Sequence, residues 1–202
     1  MSRYPRLTSY LSALPGGTAA YPSYEAKASL VRFMLEVCPA PSDTSGLPPA
    51  VASVLCDPPP ANVWISEVLH FAAALALADH HGLDERGLRT FWFEQMSLVA
   101  QSPLYRTLLG SLTPQVMLKT AGVRWTGFHR GLELEATECG PTAIELILRH
   151  PPGMLTPLIA EGFVGAFHAL AAVSSEPAMN VKLAAVHPSR STFRLAWADA
   201  AE

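Results

Sequence analysis

The sequence predicts an α+β protein, in which a helical N-terminal part precedes a β-β-α-β-β unit. Two observations indicate this class. Before residues 124–131, apolar residues recur at the three- and four-residue spacing of a helix face. After that segment, two pairs of stretches alternate between apolar and polar residues, and one helical stretch separates the pairs. We therefore expect a four-stranded, mainly antiparallel sheet with a helix on one face.

Proline, glycine and capping residues divide the first part of the chain into six or seven predicted helices. The stretch that begins at Asn62 is apolar almost all round, which is typical of a buried central helix. Asp84 can cap the next helix, and Thr113-Pro114 is a good start for the last one. The predicted helices cover approximately residues 3–14, 23–37, 49–55, 62–81, 84–101, 102–109 and 113–124.

Alternating stretches after residue 131 predict the four strands. The first two form a hairpin that turns at Cys139-Gly140-Pro141. A helix over residues 156–173 follows, and its small residues would let it lie close on the sheet. We expect one domain over 1–202, with a helical subdomain at 1–128 and the β-β-α-β-β subdomain at 129–198. The predicted strands lie near residues 132–136, 144–148, 179–185 and 193–197.

Composition and charge exclude several function classes. The 14 basic and 17 acidic residues give a net charge of −3, so we expect no nucleic-acid partner, because such binding needs a basic surface. The longest strongly apolar stretch, residues 71–78, is far shorter than the ~20 residues of a membrane span, so no membrane partner is expected. The three cysteines and the polar N-terminus predict a reducing cytoplasm.

Glu67 and His70 form an E-x-x-H pair on the predicted central helix. Residues three apart share a helix face, so both could bind one metal ion. Carboxylate-bridged di-iron bundles need two such motifs and two further glutamates, and this chain has one motif. The expectation is therefore a hydrogen-bonded pair on the buried side of the helix, with no metal and no cofactor.

The joint between the helical and alternating regions carries Trp125, Phe128, His129 and Arg130. Aromatic rings and a titratable side chain between two subdomains are common in ligand pockets. The alternative is structural: Trp125 and Phe128 would hold the helices to the sheet, while His129 and Arg130 would bind backbone carbonyls. The candidate pocket residues are Glu67, His70, Trp125, Phe128 and His129, and no catalytic motif accompanies them.

Several segments resemble a paralogue-rich family of myxobacterial proteins of about this length. They include D-P-P-P at residues 57–60 and R-W-T-G-F-H-R-G at residues 124–131. Further resembling segments are residues 6–15, 21–32 and 102–106. That family has no established activity, so the resemblance implies no catalytic residues.

The predicted order of elements is also similar to that of haem-nitric-oxide-sensing domains and 4-vinyl-reductase-type small-molecule-binding domains. This resemblance implies a pocket between the two halves of the chain. The sequence departs from both groups, because it lacks the Tyr-x-Ser-x-Arg motif that holds the haem propionates and the terminal cysteine cluster of the second group.

These observations lead to one main hypothesis and two alternatives. The main hypothesis is a cytoplasmic, non-enzymatic regulatory or sensory domain that binds a small apolar ligand between its halves and forms a homodimer. The first alternative is a protein–protein interaction or structural module without a ligand, because the apolar composition suits it equally well. The second is an enzyme of unrecognised type, which would place Glu67, His70 and a third polar side chain in one cleft.

Overall fold

The structure, a computed structural model, describes residues 2–103, 114–172 and 179–197. These residues form seven α-helices, of which four begin at a proline, and the Asp84 side chain caps a fifth by accepting a hydrogen bond from the Gly87 backbone N–H. The predicted helix at 102–109 and the predicted cap at Thr113 lie mostly or wholly outside the described residues. The helices are α1 (Pro5–Ala13), α2 (Ala28–Val37), α3 (Pro49–Cys56), α4 (Glu67–His80), α5 (Glu85–Gln101), α6 (Pro114–Trp125) and α7 (Pro157–Ala172).

A four-stranded antiparallel sheet follows the helices, which confirms the predicted α+β class. Its strands stand in the order β4-β5-β7-β6. Helix α7 covers one face of the sheet, because the Phe167 ring contacts the Phe193 ring edge-on at 5.0 Å between centroids. The strands are β4 (Glu133–Gly140), β5 (Ala143–Arg149), β6 (Asn180–His187) and β7 (Arg190–Ala196).

A second, three-stranded sheet was not predicted from the sequence. It contains β1 (Glu25–Lys27), β2 (Trp64–Ser66) and β3 (His129–Arg130), in the order β2-β1-β3. The helices predicted to start at Ser23 and Asn62 therefore start later, each directly after a strand. Strands of two or three residues are too short for alternation to distinguish them from the first turn of a helix.

This small sheet fixes the position of α4. Strand β1 pairs with both neighbours, so that Ala26 lies opposite Ile65 on one side and His129 on the other. Since Glu67 directly follows β2, the sheet places the first residue of α4 beside the short strand that carries His129. The division of the chain at residue 128 remains a prediction, although β3 pairs with the N-terminal half.

Helix α4 is the buried central helix that the sequence predicts. Eleven of its 14 residues are buried, including Glu67 and His70. Near its other end, the Asp79 carboxylate accepts hydrogen bonds from the backbone N–H groups of Arg6 and Leu7, which caps the start of α1.

The glycines of α7 pack against helix α5 and not, as predicted for the small residues of this helix, against the sheet. A Cβ atom at Gly165 would lie 2.0 Å from the backbone oxygen of Arg89, and one at Gly162 would lie 3.0 Å from the Trp92 ring. The glycines therefore allow α7 to approach α5 closely, whereas the sequence predicts that they face the sheet. Among the residues that the structure describes, no helix is long and apolar enough to cross a membrane.

Candidate functional site

A buried carboxylate joins two histidines at the start of α4. The Nδ1 atom of His70 lies 2.9 Å from Oε1 of Glu67, and the Nδ1 atom of His129 lies 2.9 Å from Oε2. The exposed fractions of the three residues are 0% for Glu67, 1% for His70 and 3% for His129. One carboxylate therefore links the central helix to strand β3 without access to water.

The electrostatics of this cluster define which nitrogen atoms donate. Burial by itself raises the pKa of Glu67. The charge of His129, the charge of His70 and the hydrogen bond from each ring lower this pKa by more, to about 2. Glu67 is thus ionised at neutral pH and can only accept, so both Nδ1 atoms donate to it. Burial lowers the pKa of His70, so its ring is neutral and its Nε2 atom carries a lone pair.

A narrow cavity of about 80 Å³ lies between the helices and the four-stranded sheet, next to this cluster. His70, Trp125, Phe128 and His129 line it, and Glu67 lies behind the two histidines. The rest of the lining is mainly apolar and comes from α2, α5, α6, α7 and β5. It includes Leu30, Met96, Leu146, Phe163, Phe167 and Leu170.

Three polar atoms of cavity-lining residues are buried and have no hydrogen-bond partner among the described residues. They are Nε2 of His70, Nε1 of Trp92 and Nη1 of Arg124. Other polar groups at the cavity are satisfied: Gln95 donates to the Leu30 carbonyl at 3.1 Å, and Trp125 donates to the Leu132 carbonyl at 2.9 Å. Leaving a buried polar group unpaired costs ~1–3 kcal/mol, so three of them at one cavity need an explanation.

Aromatic stacking holds the joint in place. The rings of Trp125 and His129 stack at 4.0 Å between centroids, with 18° between their planes. The His70 ring lies 5.9 Å from the His129 ring and 5.8 Å from the Trp92 ring. Stacked and tilted rings therefore form the part of the cavity wall that includes His70, Trp92, Trp125 and His129.

The structure brings together the five residues that the sequence analysis selected as pocket candidates. The hydrogen bond between Glu67 and His70 is the one expected on the central helix. The structural alternative for the joint was wrong about its polar residues, because His129 binds the Glu67 carboxylate and Arg130 pairs with Glu25 at 3.2 Å. A role of these five residues in binding a ligand remains a prediction.

Sequence reasoning missed Trp92 and Arg124, although both line the cavity. Trp92 lies in the apolar run F-W-F of α5, where the helical pattern predicts a core residue and nothing distinguishes its indole nitrogen. Arg124 lies in the last turn of α6, where a basic residue is expected to interact with the helix dipole. No local signal in the sequence indicates that either side chain has an unpaired nitrogen.

The three side chains of the cluster bind one another rather than a shared ion. Each oxygen of Glu67 accepts from one imidazole, which leaves no carboxylate oxygen facing a common centre. Within residues 2–103, 114–172 and 179–197, no group of three histidine, cysteine or acidic side chains is arranged to hold a metal ion.

Solved structures with a similar fold are H-NOX domains. One, from work on haem redox potential and protein-induced porphyrin distortion, superimposes with a TM-score of 0.56 and 10% identity over 84% of this chain and 97% of the other. A second, from work on H-NOX activation, gives 0.55 and 13% over 85% and 94%. An oxygen-binding H-NOX domain related to soluble guanylate cyclases gives 0.53 and 12% over 85% and 92%.

These likenesses show that the chain has an H-NOX-like fold, which confirms the fold-level resemblance seen in the sequence. No protein-family model matches the chain, and neither does any curated protein. The resemblance to a myxobacterial family therefore remains a prediction.

The residues at the cavity do not fit haem. Pockets for drug-sized ligands have volumes of about 300–1,000 Å³, and haem is larger than most such ligands, whereas this cavity has about 80 Å³. The lone pair on Nε2 of His70 could ligate iron, but the surrounding rings leave no room for a porphyrin. The site therefore differs from the haem sites named for the similar structures.

Proposed function

We propose that this chain is a sensory or regulatory domain that binds a small, mostly apolar molecule in the cavity between its helices and its four-stranded sheet. One observation carries the proposal: an apolar cavity is lined by residues whose buried polar atoms lack partners among the described residues. Unpaired polar atoms at an apolar cavity are the usual means of orienting a small ligand.

The chemistry of these atoms restricts the ligand. Nε2 of His70 accepts a hydrogen bond, while Nε1 of Trp92 and Nη1 of Arg124 donate. A ligand with one oxygen group can therefore be held at its polar end, and its apolar part packs against rings such as Phe163 and Phe167. Since an engineered apolar cavity of about 150 Å³ binds benzene, the cavity of this chain suits a ligand no larger than benzene.

The likeness to H-NOX structures supports this proposal at the level of fold. One similar structure is of an oxygen-binding domain related to soluble guanylate cyclases, and another concerns H-NOX activation. At 12–13% identity these names do not transfer a ligand. A non-enzymatic role, a cytoplasmic location and a homodimer belong to the same proposal.

Indole N–H signals in a nitrogen-15 NMR spectrum test the proposal with isobutanol as the probe. The Trp92 N–H signal should move downfield on titration because the alcohol oxygen accepts its free hydrogen bond. The Trp125 N–H signal should move less, since that group already donates to the Leu132 carbonyl. Replacement of Trp92 by Phe assigns the signal.

Two further observations sharpen this test. Native mass spectrometry of the purified protein should show a small bound molecule that leaves on denaturation. If neither isobutanol nor any co-purified molecule binds and a crystal structure places ordered water on Nε2 of His70 and Nε1 of Trp92, the buried atoms are satisfied by solvent and the proposal fails.

The cluster also favours a second candidate function. A carboxylate that orients a neutral histidine with a free Nε2 atom is the arrangement of a general base. The protein would then convert its ligand, which the third hypothesis from the sequence expected of Glu67, His70 and a third polar side chain. Hydrolysis of p-nitrophenyl acetate above the rate of the His70→Asn variant would support this role, and equal rates would exclude it for that ester.

A further inference from the structure

We propose that the ligand of this cavity is a short apolar carboxylic acid, whose carboxyl group binds between Arg124, Trp92 and His70. This inference rests on the proposed function and specifies the chemical class of the ligand. It depends on a side chain that the sequence analysis did not select.

Arg124 is the reason for choosing an acid. Its Nε atom donates to the hydroxyl of Thr120 at 2.8 Å, which fixes the guanidinium beside the cavity. Its Nη1 atom is shielded from water and has no hydrogen-bond partner among the described residues, and none of their carboxylates pairs with the side chain. The Arg124 residue as a whole is partly buried. Because a charged nitrogen that is shielded from water is usually paired, the unpaired Nη1 atom favours a ligand that brings an anion.

The carboxyl group matches the number and kind of unpaired atoms. Two donors, the Trp92 indole N–H and an Arg124 N–H, can bind two carboxyl lone pairs. The single acceptor, Nε2 of His70, needs one hydrogen, which the acid carries on its second oxygen. If that proton moves to His70, the ring becomes an imidazolium that lies between the ligand carboxylate and the carboxylate of Glu67. The positive charge on the ring then balances the negative charge on the ligand.

The cavity volume sets the length of the acid. Since a cavity needs about 10–15 Å³ to hold one water molecule, about 80 Å³ corresponds to roughly five to eight non-hydrogen atoms. Isobutyric acid has this size, and its branched carbon chain would lie against Phe163 and Leu170. Longer chains would require the aromatic walls to move.

Calorimetric titration of the full chain with isobutyrate, isobutanol and isobutyramide at neutral pH tests the inference. The three probes share one carbon skeleton, so they differ only in the polar group. We expect isobutyrate to bind at least about tenfold more tightly than isobutanol, because charge-assisted hydrogen bonds are the stronger ones. Isobutyramide, which has a similar shape and no charge, should resemble the alcohol.

Variants of one arginine then separate charge from shape. Arg124→Gln should weaken isobutyrate by about tenfold or more and isobutanol by a smaller factor, because the alcohol loses only a hydrogen bond while the acid also loses a charged partner. Arg124→Lys should retain part of the preference, since it keeps the charge but not the fork of donors. Arg149→Gln is the matched control, because Arg149 pairs with Glu135 on the exposed sheet and does not line the cavity.

The outcomes distinguish the two proposals. If isobutanol binds as tightly as isobutyrate, or if Arg124→Gln leaves isobutyrate unchanged, the acid inference fails while the proposed function stands. If none of the three probes binds the wild-type protein, the acid inference fails, and the search for a co-purified molecule and for ordered water at His70 and Trp92 decides the proposed function. A circular dichroism spectrum of each variant establishes that a lost interaction does not reflect an unfolded chain.

Discussion

Two buried histidines of this protein have opposite surroundings. His150 directly follows β5, and both of its ring nitrogens have partners: Nδ1 donates to the Pro151 carbonyl, and Nε2 lies 3.1 Å from the Ser191 hydroxyl. His70 is bound on one side only, by Glu67, and its Nε2 atom has no partner among the described residues. His70 lines the cavity and His150 does not.

The difference teaches how to distinguish a structural histidine from a candidate ligand-binding one. Burial alone does not, since burial lowers the pKa of both rings. The useful signs are an unpaired nitrogen, an adjacent cavity and a carboxylate that fixes the tautomer. His70 has all three, and His150 has none of them.

The largest expected effect comes from neutralising the carboxylate that His70 shares with His129. Glu67→Gln should lower the free energy of unfolding by about 3 kcal/mol, because it removes the charge from two buried hydrogen bonds. Urea denaturation followed by circular dichroism measures it. Glu135→Gln, at an exposed ion pair with Arg149, should change little, and equal losses in the two variants would contradict the central role of Glu67.

Exchanging each histidine for asparagine should separate binding from stability. His150→Asn should cost about 1–3 kcal/mol, because it leaves the buried Ser191 hydroxyl without its partner, and should leave isobutanol binding unchanged. His70→Asn should weaken isobutanol by about tenfold. Calorimetry and urea denaturation of both variants give the comparison, and a loss of binding in His150→Asn would contradict it.

Acid should destabilise the protein before its carboxylates titrate. The pKa of His70 is lowered from the ordinary 6.5, so the folded ring stays neutral while the unfolded chain takes up a proton below that pH. The stabilising contribution is complete above pH 6.5 and falls as the pH drops, by up to about 1.4 kcal/mol per pH unit. Urea midpoints at successive pH values should show this slope, and His70→Asn should reduce it.

The smallest expected change in stability comes from filling the cavity. Ala166 lines it, so Ala166→Val should abolish isobutanol binding and alter the unfolding free energy by less than about 1 kcal/mol. Ala160 lies on the same helix in a packed region, and Ala160→Val should cost about 1–3 kcal/mol. Retained isobutanol binding in Ala166→Val would show that the ligand lies elsewhere.

Long periodic elements could be predicted from the sequence, and contacts distant along the chain could not. The alternation in β4–β7 and the apolar length of α4 extend over enough residues to define their type. The Glu67–His70 bond follows from a spacing of three residues on one helix. The partner of His129 lies 62 residues away, and the two- and three-residue strands that bring them together carry no periodic signal.

The most direct test is a nitrogen-15 NMR spectrum of the histidine rings, recorded with and without isobutanol. The account predicts that His70 is protonated on Nδ1, that its Nε2 signal is that of a bare lone pair, and that this signal moves when the alcohol binds. The His150 signals, from nitrogens that already have partners, should stay in place. A His70 ring that carries its proton on Nε2, or whose signals do not respond while the alcohol binds, would contradict the assignment of this cavity as the ligand site.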